Sequence, residues 1–512
     1  MSRHLKKLTS FILAISILLI AYFLQRHEFA TLFAAYAVSF LAYLVALKLT
    51  KNETDLNFFL IIAIILRGSI LFAFPSLSDD IYRFIWDGHL TALGENPFSH
   101  LPRYYIENQL FTDVLTPELF AKLNSPNYFS VYPSVCQGVF FIAVIIAPKS
   151  IYGAAIVIKS FLFLCEIGTL FLLKKLSNTS NFKFQISNSK SPINSQLIPN
   201  SKFQIWNLES EIWNLKSPLI YALNPLIIIE LIGNVHFEAA MIFFFLLAIF
   251  ILKELKFNLK KELKNTFNLE LKTLLKLGLG ATAWSLSISA KLLTIMLLSL
   301  VWRQLGWLRS IVFWGLIVVS SLVLFIPIYN DLFVTNIMAS IKLYSNKFEF
   351  NASIFYLIQG FFYWYTGWNK IEYISPYLTG FVILFILKIT FLKRINKDYL
   401  KELINFNPPL IAFNIPDFFE SCLFVLMIYF ACATTVHPWY AAMPLACSVF
   451  TKWRFPMVWT FTIFLTYHGY TEGSSKHTEN FGLVAFEYLA VLGYFLYEIR
   501  TFQEFKTLGK LK

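Results

Sequence analysis

The chain has 512 residues, of which 57% are hydrophobic and only 14% are charged. Soluble proteins carry about a quarter charged residues, so this composition excludes a soluble domain with one anchor and indicates a protein with many membrane spans. The net charge of +13 comes mostly from short lysine-rich segments between apolar runs. Because the positive-inside rule produces that distribution, we expect no nucleic-acid partner.

Apolar runs follow one another from residue 9 to residue 499, and many reach the roughly 17 to 25 residues that a spanning helix needs. They lack the two-residue alternation of a membrane β-barrel. We therefore expect an all-α polytopic membrane protein with about 12–14 transmembrane helices. The basic start MSRHLKK precedes an apolar core without a small-residue cleavage site, which predicts a first span with a cytoplasmic N-terminus. Residues 272–301 are a candidate for a broken or re-entrant helix.

Two segments stand out from this pattern within a single integral-membrane domain at 1–512. Three spans place residues 76–130 outside, as a long first external loop in which we predict juxtamembrane helices. Long loops with ordered turns are usually functional. Residues 177–217 repeat NFKFQISNS, SKFQIWNLES and SEIWNLKS, which indicates a low-complexity solvated loop without chemistry.

Cofactor motifs give no guidance. The five cysteines are scattered through apolar runs, so neither a disulfide framework nor a cysteine metal site is predicted. The chain also has no GxGxxG, P-loop, HExxH or GxSxG motif in a supporting context. Candidate chemistry must therefore come from polar residues at the edges of the apolar runs.

The run SDDIYRFIWD, at the start of the external loop, is the first candidate. In a helix, Asp79, Arg83 and Trp86 would share one face, with Asp80 and Asp87 on a neighbouring face. The two adjacent carboxylates repel one another. That arrangement suits a general base or a cation site. The simpler alternative is a solvated juxtamembrane helix with an Asp79–Arg83 ion pair.

Three further clusters contain polar residues in apolar surroundings. His236 and Glu238 lie in GNVHFEA, and the alternative for them is an interfacial polar turn. Lys291 stands near the middle of a long apolar stretch, where snorkelling works poorly, so we expect it to meet an anionic lipid phosphate. His437 and Tyr440 lie in HPWY at an external helix boundary, where an aromatic belt is the alternative.

Taken in order, SDDIYRFIWDGHLTALGENPF, YPS, GNVHFEA, AKLL and HPWY resemble the bacterial polyprenol-phosphate-mannose-dependent mannosyltransferases, which are GT-C glycosyltransferases. The resemblance runs from about residue 60 to residue 450. It implies a GT-C-type bundle, with 76–130 as the external catalytic loop and Asp79 or Asp80 as the catalytic base, Asp79 being favoured. YPS replaces the common YPP, and GNVHFE has glutamate where many relatives have aspartate.

The resemblance implies transfer of a hexose, mannose first, from a polyprenyl-phosphate donor to an acceptor hydroxyl, with inversion. Arg83, Lys291 or His236 would neutralise the departing phosphate, and Trp86, Asp87, Glu238, His437 and Tyr440 would line the substrate site. No cofactor is required, and a divalent metal is possible but not expected. The expected partners are a lipid-linked sugar and a glycan or lipid acceptor, and the expected location is the bacterial inner membrane, with the active site facing outside. The alternatives are a polysaccharide ligase or polymerase and a lipid-linked saccharide transporter or flippase.

Overall fold

The computed structural model describes residues 2–179, 215–257, 270–368, 371–392, 411–470 and 477–510, and most of them are helical. The α-helices in chain order are α1 (Ser2–Phe23), α2 (Phe29–Leu49), α3 (Glu53–Ser69), α4 (Asp80–Ala92), α5 (Pro102–Glu107), α6 (Pro117–Ala121), α7 (Ser134–Ile146), α8 (Ile151–Thr179), α9 (Leu215–Ala222), α10 (Pro225–Ile227), α11 (Glu238–Leu252), α12 (Leu271–Ala290), α13 (Trp302–Leu305), α14 (Trp307–Phe325), α15 (Phe333–Lys347), α16 (Ile354–Thr366), α17 (Ile371–Leu387), α18 (Ile415–Cys432), α19 (Ala442–Ser448), α20 (Phe455–Thr462) and α21 (Phe481–Lys510). Short π or 3₁₀ segments continue several of them: Ile228–Gly233, Leu292–Val301, Ile326–Ile328, Lys388–Leu392, Pro438–Ala441 and Ile463–Tyr470. Of the predicted repeat loop, residues 180–214 lie outside the described residues.

Seven of the described helices are long and apolar enough to cross a membrane, and the bent pair α9–α10 makes an eighth if it counts as one span. The seven are α1, α2, α8, α14, α17, α18 and α21. Three shorter apolar helices, α7, α11 and Leu292–Leu305, lie among them. The chain is thus a multi-pass, all-helical membrane protein, as predicted. The expected total of twelve to fourteen spans and the GT-C arrangement stay predictions.

Two helix breaks lie in the centre of the molecule. Asn224 follows α9 and caps α10, because its side-chain oxygen accepts a hydrogen bond of 3.0 Å from the amide of Leu226. The two helices are bent by 44° at this break. The second break is at Lys291, whose extended backbone (φ −155°, ψ 134°) separates α12 from the following 3₁₀ segment. This break lies within residues 272–301, the candidate for a broken or re-entrant helix.

The loop at 76–130 contains the predicted juxtamembrane helices, α4, α5 and α6. Helix α4 packs closely on α7, because a Cβ atom at Gly88 would lie only 2.5 Å from the carbonyl oxygen of Phe140. Only glycine allows this approach. Trp86 is fully buried on the other side and packs against Tyr105 and Phe120. The loop is therefore folded onto the helix bundle.

A short β contact positions the segment that carries HPWY. The amide of Phe350 donates to the carbonyl of Thr434 at 3.0 Å, and the amide of Val436 donates to the carbonyl of Phe350 at 2.8 Å. This contact fixes the turn before His437 against the start of α16. Elsewhere, β1 (Lys256–Phe257) pairs antiparallel with β2 (Ile411–Ala412).

A buried ion pair joins three helices inside the membrane-spanning region. The Nε atom of Arg67 lies 2.9 Å from Oε2 of Glu166, and neither side chain is exposed. The hydroxyl of Tyr221 donates to Oε1 of the same glutamate at 2.7 Å. Because a buried charge without a partner is costly, this pair holds α3, α8 and α9 in one arrangement.

Candidate functional site

The two adjacent aspartates at the start of α4 have different partners. Asp79 is the N-cap residue, and its carboxylate pairs with Arg26 at 2.6 Å. Asp80 is the first helical residue, and its Oδ1 atom accepts a hydrogen bond of 2.7 Å from the amide of Asn124. The Asp79 side chain is 39% exposed and the Asp80 side chain 16%. The more enclosed of the two carboxylates is therefore Asp80.

The second oxygen of Asp80 faces a buried histidine. Its Oδ2 atom lies 3.9 Å from Nδ1 of His236, which is longer than a hydrogen bond. His236 lies in the segment between the π-helical end of the bent pair and α11. The residue before it, Val235, has φ of +60°, a conformation that is a genuine outlier for a β-branched side chain. Such strain concentrates at functional sites.

The HPWY corner closes over His236. The ring of Trp439 stacks on the His236 ring with centroids 3.7 Å apart, and Trp439 also stacks on His437 at 4.5 Å. Burial lowers the pKa of His236 to about 4, against the opposing influence of Asp80 and Glu238, and it lowers the pKa of His437 to about 3. Both imidazoles are therefore neutral at neutral pH.

On its other side, His236 faces a fully buried glutamate. The Oε2 atom of Glu230 lies 3.3 Å from Nε2 of His236. The hydroxyl of Tyr467 donates to Oε1 of Glu230 at 2.6 Å, and the side-chain amide of Asn234 reaches Oε2 at 3.4 Å. Asn234 also accepts a hydrogen bond of 3.1 Å from the amide of Leu77, so it ties the segment before Asp79 to this helix break.

Glu238 and Lys291 form an ion pair beside His236. The Nζ atom of Lys291 lies 3.5 Å from Oε1 of Glu238 and 5.5 Å from the ring centre of Tyr132. The Lys291 side chain is 25% exposed, whereas that of Glu238 is almost fully buried. Among the described residues, nothing hydrogen-bonds the buried Oε2 atom of Glu238. A buried polar atom without a partner costs about 1–3 kcal/mol, so this atom is suited to meet a ligand donor.

Arg83 and Asp87 lie deeper in the protein. Arg83 donates to Oδ1 of Asp87 at 2.7 Å and to the carbonyls of Ser125 and Tyr128 at 3.0 and 2.9 Å. Oδ2 of Asp87 accepts from the hydroxyl of Ser130 at 2.6 Å. The Asp79–Arg83 ion pair that the four-residue spacing allowed is not formed, because Arg83 pairs in the other direction along the helix.

The structure thus separates the predicted site residues into two groups. Asp80, His236, Glu238, Lys291 and His437 form one cluster, with Asp79 beside Asp80 and Tyr440 edge-on to His437 at 5.4 Å. Arg83, Trp86 and Asp87 form the buried support beneath it. Within the described part of the chain, no group of three His, Cys, Asp or Glu side chains is placed to hold a metal ion.

The site has three further partners, Glu230, Arg26 and Asn124, and only Glu230 could be singled out from the sequence. Glu230 carried a usable signal, since it is an ionisable residue inside an apolar run. Arg26 and Asn124 carried none, because both contact the aspartates from distant parts of the chain. No protein-family model matches this chain, and neither the curated proteins nor the solved structures provide a match for it.

Proposed function

We propose that this protein transfers a hexose, with mannose as the first candidate, from a polyprenyl phosphate to an acceptor hydroxyl at the membrane surface. The observation that carries the proposal is the convergence on His236. Asp80 lies 3.9 Å from its Nδ1 atom, and the Glu238–Lys291 pair is close enough to act on its charge, so a carboxylate, a neutral imidazole and a cation lie in one cluster. These are the groups that an inverting transfer from a lipid phosphate needs.

The chemistry follows from the charges. The acceptor oxygen attacks the anomeric carbon while a carboxylate takes its proton, and the bond from that carbon to the phosphate oxygen breaks. General-base help of this kind typically contributes about 10²- to 10⁴-fold. The Lys291 ammonium, held beside Glu238, would neutralise the departing phosphate. A single displacement of this kind inverts the anomeric configuration.

We assign the base to Asp80, whereas the sequence alone favoured Asp79. Asp79 already pairs with Arg26 at 2.6 Å and is the more exposed carboxylate. Arg26 therefore already occupies one of its oxygens. Asp80 keeps its Oδ2 atom 3.9 Å from Nδ1 of His236. Asp79 with Arg26 then forms the rim of the site.

The test uses membranes that contain the wild type, Asp79→Asn, Asp80→Asn or Lys291→Gln. Each is incubated with radiolabelled polyprenyl-phosphate mannose and a native lipid and glycan extract, with and without EDTA. We expect Asp80→Asn to lose transfer and Lys291→Gln to require more donor. The control is Asp113→Asn, which removes an exposed carboxylate from the same loop. Wild-type transfer by Asp79→Asn and Asp80→Asn alike would contradict the proposal.

One observation favours transport as a second candidate. Arg67 and Glu166 form a fully buried ion pair between helices in the membrane-spanning region, and ionisable residues there often mark pathways. Translocation of a labelled polyprenyl-phosphate sugar across proteoliposomes would test this. Transport predicts that Glu166→Gln stops translocation, whereas the transferase predicts that label reaches an acceptor without net movement of the donor.

A further inference from the structure

Glu230 is buried where the bent helix pair ends, and three polar groups surround its carboxylate. The Tyr467 hydroxyl lies 2.6 Å from Oε1, and the Asn234 amide and the His236 Nε2 atom lie 3.4 and 3.3 Å from Oε2. The Tyr467 and Asn234 donors favour the ionised form of Glu230, and an ionised carboxylate only accepts hydrogen bonds. The contact with Nε2 is not aligned as a hydrogen bond in the free protein, but at 3.3 Å this carboxylate favours the imidazole form in which Nε2 carries the proton. That form leaves the lone pair on Nδ1, 3.9 Å from Asp80.

We infer that Glu230 is a positioning residue that holds His236 in the Nε2-protonated tautomer, so that His236 and Asp80 together receive the proton of the acceptor. The inference rests on the proposed function. It deepens that function by naming where the proton goes after Asp80. Asp80 and His236 touch the reacting hydroxyl, whereas Glu230 acts only through the imidazole.

In this step the acceptor O–H bond breaks, and its proton passes to Asp80 and then to Nδ1 of His236. The acceptor oxygen forms its bond to the anomeric carbon, and the electron pair of the broken carbon–oxygen bond stays on the phosphate. His236 becomes an imidazolium between two carboxylates and returns its proton to water when the products leave.

The surroundings of His236 support this assignment. Burial keeps the imidazole neutral at rest, with its pKa lowered to about 4, so Nδ1 is free to accept a proton. The stacked Trp439 ring, 3.7 Å away, stabilises a transient cation. The other charged groups that act on His236 are Glu238, which favours the cation, and Lys291, which opposes it. His437 stacks on the same Trp439 ring, with ring centroids 4.5 Å apart.

The separation of 3.9 Å between Asp80 Oδ2 and His236 Nδ1 fits the same assignment. The unprotonated Nδ1 atom of His236 and the Asp80 oxygen are both hydrogen-bond acceptors, so they do not hydrogen-bond to each other in the free protein. A hydroxyl between them supplies the missing proton. Hydrogen bonds of this kind are often long in free enzymes and shorten when the substrate binds.

The activity test compares Glu230→Gln with wild type, with His236→Asn and with the double variant. We expect Glu230→Gln to lower kcat by about 10- to 100-fold, by analogy with other groups that orient a catalytic histidine, with KM for the donor within about two-fold. It should lower kcat no further in the His236→Asn background. The matched control is Glu487→Gln, which removes another buried glutamate that accepts two hydrogen bonds, from Trp459 and Asn351, outside this site.

A second readout does not depend on transfer. The chain has eight histidines, and the nitrogen-15 spectrum of labelled protein, compared with His236→Asn, identifies the His236 signals. Protonated Nε2 in the wild type, lost in Glu230→Gln but retained in Glu487→Gln, would support the inference. Protonated Nδ1 in the wild type would overturn it, as would unchanged kcat in Glu230→Gln or an additive loss in the double variant. If the wild type transferred no sugar, the proposed function would fail, and the spectrum would decide the Glu230–His236 contact by itself.

Discussion

Helix α4 contains carboxylates in opposite states at its open end, where it begins at Asp80, and in its buried part, around Asp87. Near its middle, Asp87 accepts hydrogen bonds from Arg83, Ser130 and Gln137, and it is completely buried. At its start, Asp80 accepts one side-chain hydrogen bond, and its second oxygen faces His236 across 3.9 Å. A carboxylate whose oxygens are saturated supports the fold. A carboxylate that keeps one oxygen available beside a neutral histidine is placed for chemistry.

The largest expected effect is on catalysis at the open end of the helix. Asp80→Asn removes the proposed base but keeps the shape of the side chain, so we expect transfer to fall by about 10²- to 10⁴-fold. The unfolding temperature in detergent should stay close to that of the wild type. If Asp80→Asn kept full transfer, the base would lie elsewhere, and the contrast between Asp80 and Asp87 would be lost.

In the buried part of α4, around Asp87, the expected effect is on stability. Asp87→Ala leaves the Arg83 guanidinium buried without its ion-pair partner, and breaking a buried pair costs about 3–5 kcal/mol. Thermal unfolding in detergent would show a large drop, and expression would fall with it. Replacing both residues, as in Arg83→Met with Asp87→Leu, should recover part of the loss. If Asp87→Ala left the unfolding temperature unchanged, this network would not support the loop.

The lowered pKa values predict a pH dependence of stability. His236 titrates near 6.5 when unfolded and near 4 when folded, so the unfolded state binds more protons in this window and stability falls as pH drops from 6.5 toward 4. The contribution of His236 is roughly 3 kcal/mol at the acid end. Unfolding temperatures measured from pH 7.5 to 4.5 should fall less steeply in His236→Asn. Parallel curves would contradict the burial of this imidazole.

The smallest effect is expected at the exposed rim. Arg26→Gln removes a partly exposed ion pair, which is typically worth less than about 1 kcal/mol. We expect an unchanged unfolding temperature and a change in transfer of less than about three-fold, with Asp79→Asn behaving alike. A loss of transfer in Asp79→Asn as large as that in Asp80→Asn would move the base to Asp79, as the sequence alone favoured.

The helices and their breaks could be predicted because they depend on local sequence. Apolar length predicts the spans, and Asn224-Pro225 indicates a bend. The pairing of Arg83 could not be predicted, since Asp79 and Asp87 both lie four residues away from it. The helix begins at Asp80, and Asp79 has the non-helical backbone of a cap (φ −94°, ψ 4°). Its side chain therefore does not follow helical spacing and meets Arg26 instead.

The contacts of the buried acid show the same limit. Glu230 was visible in the sequence as a charge in an apolar run, but its partner Tyr467 lies 237 positions away along the chain. Only tertiary packing brings them together. The stacking of Trp439 on His236 depends in turn on the β contact between Phe350 and the residues before His437. Helical periodicity has no information on such contacts.

The side chain of Asn234 has a mechanical consequence. One end of its amide accepts from Leu77, just before the aspartates, and the other end donates to Ile229 and Glu230 in the π-helical segment. The loop at 76–130 and the bent helix are thus linked through one residue. A displacement of the loop that keeps these bonds must turn the helix end with it, so the position of Asp80 and the alignment of Glu230 change together.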